Sequence, residues 1–172
     1  QSWANVANFT VAEVSSQSDA NFIEYLRDSL PAGHANHGLP APGGSDADDH
    51  VDGNYWVNWG AWTVNGLKPG GNAFEAIVHE LGHGFGLLHP HDAPVFPGVS
   101  NSGDTGDNAL NQHAYTVMSY VHGTASTNTN DYGHVAGPMA FDIAAVQSLY
   151  GANNSFNTGY NVYWLPDSNA PG

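Results

Sequence analysis

The sequence predicts a mixed α/β fold in one domain, and three observations support this prediction. The chain has 172 residues, which is enough to bury a core within a single domain. Residues Asn54 to Trp59 alternate between two faces, as the side chains of a strand do. Residues 74–84 and 138–150 repeat apolar side chains at the spacing of a helix with one buried face.

The segments before that strand are shorter and less regular. The apolar positions of Gln1 to Asn8 fit the last turns of a helix, and Phe9 to Val14 alternates well enough for a strand. Residues Asn21 to Leu30 are ambiguous, because their apolar spacing fits a helix as well as a strand. Pro31 to Gly53 is rich in Pro, Gly, His and Asp, so we predict a loop there.

Both predicted helices carry signals for their ends. Asn72 is a suitable N-cap for a helix from Phe74 to Gly84, because it follows a break at two glycines. Pro138 suits the first position of the last helix, which is predicted to end near Tyr150 because Gly151 follows.

Five residues on and after the first of these helices have the spacing of a catalytic zinc site. His79 and His83 are four residues apart, so they lie one turn apart on one helix face and can hold one zinc ion. Glu80, beside His79, is placed to act as a general base. Gly86 allows a left-handed turn that returns His89 to the metal as a third ligand. Three protein ligands leave one coordination position open, as in catalytic zinc sites.

The extended motif over residues 79–89 resembles that of the metzincin metallopeptidases. Further along the chain, residues 116–120 resemble the methionine turn of that family. Pro90, directly after the third histidine, and the segment 137–153 are similar to the serralysin group in particular. The resemblance runs from residue 1 to about residue 153.

The resemblance implies a particular architecture. It implies a mostly parallel, twisted sheet with an antiparallel edge strand, followed by the zinc helix and an irregular C-terminal part with one helix. Residues 1–86 would form an upper subdomain and residues 87–172 a lower one, with the substrate cleft between them. It also resolves the ambiguous segment, because it places a strand at about Asn21 to Tyr25.

The strand over residues 54–59 corresponds to the place where metzincins have their antiparallel edge strand. In that family the edge strand holds the substrate backbone in extended form by β-augmentation. An ordinary core strand whose aromatic side chains only pack is the alternative, and both roles are compatible. The predicted substrate-binding residues are Asn54, Tyr55, Trp56, Val57, Asn58 and Trp59.

The resemblance implies a secreted zinc endopeptidase that hydrolyses internal peptide bonds of extended polypeptides. Glu80 would be its general base, and Met118 would form an apolar floor beneath the metal. Tyr120 resembles the family's switchable tyrosine, which ligates zinc in the empty site and donates a hydrogen bond to the oxyanion when substrate binds. The alternative for Tyr120 is an aromatic side chain that packs beside the turn.

A second function remains open at this stage. The chain is short and lacks the glycine-rich calcium repeats of typical serralysins, so it is also compatible with a catalytically idle domain. Such a domain would bind polypeptide or serve an assembly. Cleavage of casein with and without a chelator distinguishes the two.

The charge balance and composition exclude several partners. Sixteen acidic residues stand against two basic ones, giving a net charge of −14, so neither nucleic acid nor an anionic membrane surface is expected as a partner. No apolar run reaches transmembrane length, and there is no cysteine for a disulfide or a thiolate site. The expected partners are a protein or peptide substrate and a proteinaceous inhibitor.

Calcium has no motif of its own in this chain. Asp46 to Gly53 is acidic, but His50 stands where an EF-hand needs an oxygen ligand, so we favour a solvated loop over a calcium site of another type. Asp104 to Asn108 fits an ion site or ordinary turn chemistry equally well. Val162 to Leu165 is predicted as a short strand.

The start of the chain leads to one more expectation. Gln1 enters directly on a helical pattern, whereas serralysin-like domains carry a strand of the sheet before the corresponding helix. We therefore expect the sheet to be completed by a preceding segment, a second chain or a partner protein. The expected sign is a vacant, buried position beside a strand of the sheet.

Overall fold

The fold was determined from a computed structural model that describes residues 2–30, 33–40, 51–123 and 129–162. Its helices are α1 (Ser2–Val6), α2 (Asn72–Gly84) and α3 (Ala140–Tyr150), and its strands are β1 (Phe22–Arg27), β2 (Ala35–His37) and β3 (Val51–Trp56). This mixture confirms the predicted α/β class. The predictions for residues 46–50 and 163–165, and for residue 1, lie outside the described residues.

Within the described residues, three strands form one sheet in the order β1-β3-β2. β1 runs parallel to β3, with Phe22 opposite Val51, and β2 runs antiparallel to β3, with Ala35 opposite Tyr55. The predicted antiparallel edge strand is therefore present, but it is β2. The assignment of residues 54–59 to that edge was wrong, since β3 lies between the other two strands and ends at Trp56.

The reason for this error is physical. An alternating pattern shows that a segment has two faces, but it contains no information about which strands pair with its edges. The prediction of a loop over Pro31 to Gly53 was wrong for a related reason. It contains the three residues of β2 and the start of β3, and a run of three residues is too short to show a period.

The two strand predictions before β2 have opposite outcomes. The strand predicted at Asn21 to Tyr25 is confirmed as β1. The strand predicted at Phe9 to Val14 was wrong, because residues 9–14 are irregular and pair with no strand in the described part of the chain. Val11 and Val14 are 52% and 47% exposed, so this alternation has no buried face to stabilise a strand.

The core lies where α1, α2, α3 and the methionine turn meet. Its largest buried side chains are Trp3, Val78, Phe85, Leu87, Val117, Met118 and Val146. The Trp3 indole N–H donates a hydrogen bond of 3.1 Å to the Val78 carbonyl, which attaches α1 to α2. At Gly82 an added Cβ would lie 2.6 Å from the Met118 Sδ, so the methionine packs directly against α2 between the first two histidines of the motif.

The C-terminal ends of α2 and α3 agree with the sequence signals, and their N-terminal ends do not. Gly86 has φ +96°, as the left-handed turn predicted after α2 requires, and Gly151 follows α3 directly with φ +82°, as the predicted end of that helix. Asn72 was predicted as an N-cap, but Gly71 holds that position and Asn72 is the first residue of α2. Pro138 was predicted at the first position of the last helix, but α3 begins at Ala140 with Met139 as its N-cap. No helix in the described part of the chain has the length and hydropathy needed to cross a membrane.

Candidate active site

The structure brings the three histidines of the motif together at one end of the sheet. His79 and His83 lie one turn apart on α2, and the left-handed turn at Gly86 returns His89 to them. The Nε2 atom of His89 lies 3.2 Å from Nε2 of His79 and 3.0 Å from Nε2 of His83. The predicted cluster is thus present, with one nitrogen from each ring at a common point.

Each of these imidazoles is oriented by a hydrogen bond at its other nitrogen. All three Nδ1 atoms lie 2.8 Å from an oxygen that can only accept, so each Nδ1 carries the proton and donates it. In the neutral ring, Nε2 then presents a lone pair to the cluster, as a metal ligand must. The pairs are His79 with the Val117 carbonyl, His83 with the Leu87 carbonyl, and His89 with the Asp92 carboxylate.

The cluster fits a zinc ion. Zn–N bonds of about 2.1 Å at tetrahedral angles place nitrogen atoms about 3.4 Å apart, close to the separations seen here. Burial, with the neighbouring histidines as a smaller cause, lowers the pKa of His79 and His83 to about 4, so both rings are neutral near pH 7. Neutral imidazole is the form that binds metal, so these residues are suited to zinc.

A pocket of about 230 Å³ opens beside the histidines. Glu80 lies in its wall and is only 8% exposed. Burial raises the pKa of the Glu80 carboxyl to about 7, with a lowering contribution from His37 and a raising one from Glu24. The pocket is lined by Ala35, Asn36, His37, Leu39, Glu80, His83, Leu88, His89, Asp92 and Tyr120.

Tyr120 stands over the histidine cluster. Its ring centroid lies 4.6 Å from that of His89 and 5.8 Å from that of His79, and the side chain is 54% exposed. Burial, followed by the charge of Glu80, raises the pKa of the phenol, so the hydroxyl stays protonated at neutral pH. Met118, two residues earlier, is 2% exposed and packs on α2 beneath the cluster.

Asp142 is a positioning residue that the sequence analysis missed. From the first turn of α3 its carboxylate accepts the Thr116 hydroxyl, the Val117 N–H at 2.7 Å and the Met139 N–H at 2.8 Å. The Val117 carbonyl in turn accepts from His79, so Asp142 helps to orient a ligand. An acidic residue three positions after an N-cap was the available signal, but it pointed only to helix capping.

Asp92 is the second such residue. It follows His89 by three residues, and its Oδ2 accepts hydrogen bonds from both Nδ1 and the backbone N–H of His89, at 2.8 and 3.1 Å. Asp104, by contrast, accepts hydrogen bonds from Ser100 and from the Gly106 N–H, which is turn chemistry.

The segment predicted to bind substrate lies away from this pocket. Residues 54–56 belong to the central strand β3, and residues 57–59 follow it in a turn. Tyr55 and Val57 instead line an apolar pocket of about 520 Å³ between the sheet and α2. The strand that reaches the histidine pocket is β2, through all three of its residues.

Comparison with known proteins identifies related sequences over almost the whole chain. No protein-family model matches. Serralysin B and serralysin C of Dickeya chrysanthemi are 33% and 36% identical over 166 and 164 residues, covering 95% of this chain and 34% of each relative. A serralysin of Photorhabdus laumondii is 33% identical over 171 residues with the same coverage. This chain is a homologue of the serralysins. It spans about a third of the length of these curated relatives. The predicted serralysin-type resemblance is thus confirmed.

Proposed function

We propose that this serralysin-like chain is the catalytic domain of a zinc endopeptidase that cuts internal bonds of extended polypeptides. The observation that carries the proposal is the convergence of three oriented Nε2 atoms at 3.0–3.2 Å beside a buried carboxyl group. A zinc ion held by His79, His83 and His89 would lower the pKa of water and polarise the scissile carbonyl.

Glu80 is the general base in this proposal. It follows His79 on α2, so its carboxylate shares the pocket with the ligands without being one of them. A carboxyl whose pKa lies near neutrality accepts and releases a proton readily, as a group that serves as base and then as acid must. Glu80 would take the proton of the attacking water and pass it to the leaving amine.

Tyr120 supplies an electrophilic hydrogen bond in the same proposal. Its hydroxyl is protonated at neutral pH, and its ring lies against His89 in the lining of the pocket. There it would donate to the oxyanion that develops on the substrate carbonyl. In the absence of substrate the phenol oxygen is a candidate for an extra metal ligand.

β2 is the proposed substrate-binding strand, and its outer edge would hold the substrate backbone. His34 and Gly38 pair with β3, since the Trp56 N–H donates to the His34 carbonyl and the Gly38 N–H to the Asp52 carbonyl. Hydrogen-bonded residues alternate in an antiparallel ladder, so the backbone groups of Ala35 and His37 point away from β3, to an edge that no other described strand covers. A substrate would pair there antiparallel, in the cleft between the proposed subdomains of residues 1–86 and 87–172.

Replacing Ala35 by Pro is expected to reduce kcat/KM for an extended peptide by about two- to tenfold, because one outward N–H is lost. Zinc content and thermal unfolding are expected to stay unchanged. The matched control is Ala35→Ser, which keeps the N–H and should cleave at the normal rate. Equal cleavage by the proline variant and the control would show that the substrate does not bind β2.

The wider biological setting belongs to this proposal as well. The homology to serralysins supports protein substrates, and a chain without cysteine is compatible with the extracellular location that we propose. A proteinaceous inhibitor would act by occupying the outer edge of β2 and the pocket beside it.

The proposed function is tested by cleavage of casein and of an internally quenched peptide. We expect cleavage by the zinc-loaded protein, loss of cleavage after chelator treatment, and recovery when zinc is returned. Mass spectrometry should find products from internal bonds rather than from the ends of the peptide. A folded, zinc-loaded protein that binds these polypeptides without cutting them would favour the idle polypeptide-binding domain instead.

A further inference from the structure

A second cluster of metal-binding side chains lies behind the first. Glu75 lies one turn before His79 on α2 and is 7% exposed. Ligand atoms of Glu75, His122 and His134 lie within 4.8 Å of one another. His113 also faces this carboxylate, with its Nδ1 3.4 Å from Glu75 Oε2. The cluster thus joins α2 to both sides of the methionine turn.

The hydrogen bonds of the cluster place unprotonated ring nitrogens against a negatively charged carboxylate. The Nε2 atoms of His113 and His134 lie 2.7 and 2.9 Å from the carbonyls of Ser119 and Thr129, so both carry protons there. In the neutral rings both Nδ1 atoms are then bare. They face Glu75 Oε2 at 3.4 and 3.2 Å, so lone pairs point at a carboxylate. Such an arrangement needs a cation, either protons on the rings or a metal ion.

The third histidine favours the metal ion. The His122 ring centroid lies 4.3 Å from that of His113 and 5.8 Å from that of His134, so it adds another nitrogen donor to the group. A proton links one ring nitrogen to one acceptor, whereas a metal ion binds the lone pairs of several nitrogen and oxygen atoms at once. Imidazole nitrogens with one carboxylate oxygen form a donor set typical of zinc.

We propose that Glu75, His122 and His134 bind a second divalent transition-metal ion of the zinc class, distinct from the ion of the three-histidine site. Its role is structural, because its ligands come from α2 and from the segments before and after residues 124–128. The Val135 N–H also donates to Glu75 Oε2, at 3.0 Å. The ion would hold the methionine turn, and Tyr120 with it, against α2.

The test is the number of metal ions bound per chain. Chelator-treated protein is loaded with Zn²⁺ or Co²⁺, washed, and measured by elemental mass spectrometry. We expect two ions in the unmodified protein and one in His122→Asn, which changes an exposed side chain. The matched control His34→Asn also replaces a histidine, one that stacks on Trp59 outside both clusters, and should keep two ions. His83→Asn should retain one.

Two outcomes would overturn the proposal. One is a single ion in the unmodified protein at a metal concentration that saturates the three-histidine site. The other is two ions in His122→Asn, which would mean that the second ion binds elsewhere on this acidic chain.

Imidazole nitrogen NMR gives an independent measurement. Nδ1 of His134 should lose its proton and its signal should shift when the second equivalent of Zn²⁺ is added, and a signal that stays protonated and unshifted would count against the site.

Discussion

Glu80→Ala is expected to keep zinc bound while peptide hydrolysis falls by about 10²–10⁴-fold, the range for loss of a general acid–base group. Metal binding should survive because the three Nε2 atoms are oriented by Val117, Leu87 and Asp92, and none of those hydrogen bonds involves Glu80. The loss should appear in kcat, since the proton transfer that Glu80 performs belongs to the chemical step.

The measurements are kcat on a quenched peptide and zinc per chain, made on the same preparations. His83→Ala is the comparison variant, because it deletes the Nε2 atom that lies 3.0 Å from Nε2 of His89. That variant should lose metal from the three-histidine site together with activity, and restored zinc should not rescue it. Normal cleavage by Glu80→Ala would exclude Glu80 as the base, and loss of its zinc would make it part of the metal site.

The site was predictable from the sequence wherever its geometry is local. His79 and His83 share a helix face by spacing alone, and the left-handed turn at Gly86 that brings back His89 needs only a glycine. These relations span at most ten residues, so tertiary structure does not need to be known. The three-histidine cluster in the structure has this arrangement.

The supporting residues were not predictable, because their partners are distant in the chain. His79 is oriented by the Val117 carbonyl, 38 residues away, and the N–H of that residue is held by Asp142, a further 25 residues on. Glu75 and His134 are 59 residues apart. Seven histidines lie outside the motif, and only the fold shows which of them meet a buried carboxylate.

The strands of the sheet were also only partly predictable, because their pairing partners are not visible in a local pattern. β1 was recovered through the family resemblance, whereas the alternation in Phe9 to Val14 suggested a strand that does not exist. β2 has only three residues and was absent from the predictions, yet it is the strand that borders the pocket. Edge strands of this length are defined by the neighbour with which they pair, and a local pattern does not contain that neighbour.

Tyr120→Phe is expected to retain zinc and the fold but to lose about 10²-fold in kcat, the size of a single donor to an oxyanion. The ring contacts with His89 and His79 are preserved by phenylalanine, so only the hydroxyl is removed. If the hydroxyl acts only on the transition state, KM should change little, and kcat/KM should fall by the same factor as kcat.

Tyr115→Phe is the matched control for this experiment. Tyr115 directly precedes the same turn, but its ring stacks on Phe141, with 5.7 Å between centroids, and it does not line the pocket. Its hydroxyl should therefore be dispensable for cleavage. Normal kcat in Tyr120→Phe would show that Tyr120 only packs beside the histidines and has no catalytic role. A rise in KM with unchanged kcat would place its hydroxyl in substrate binding instead of oxyanion stabilisation, because the interaction would then be equally strong before and during the reaction.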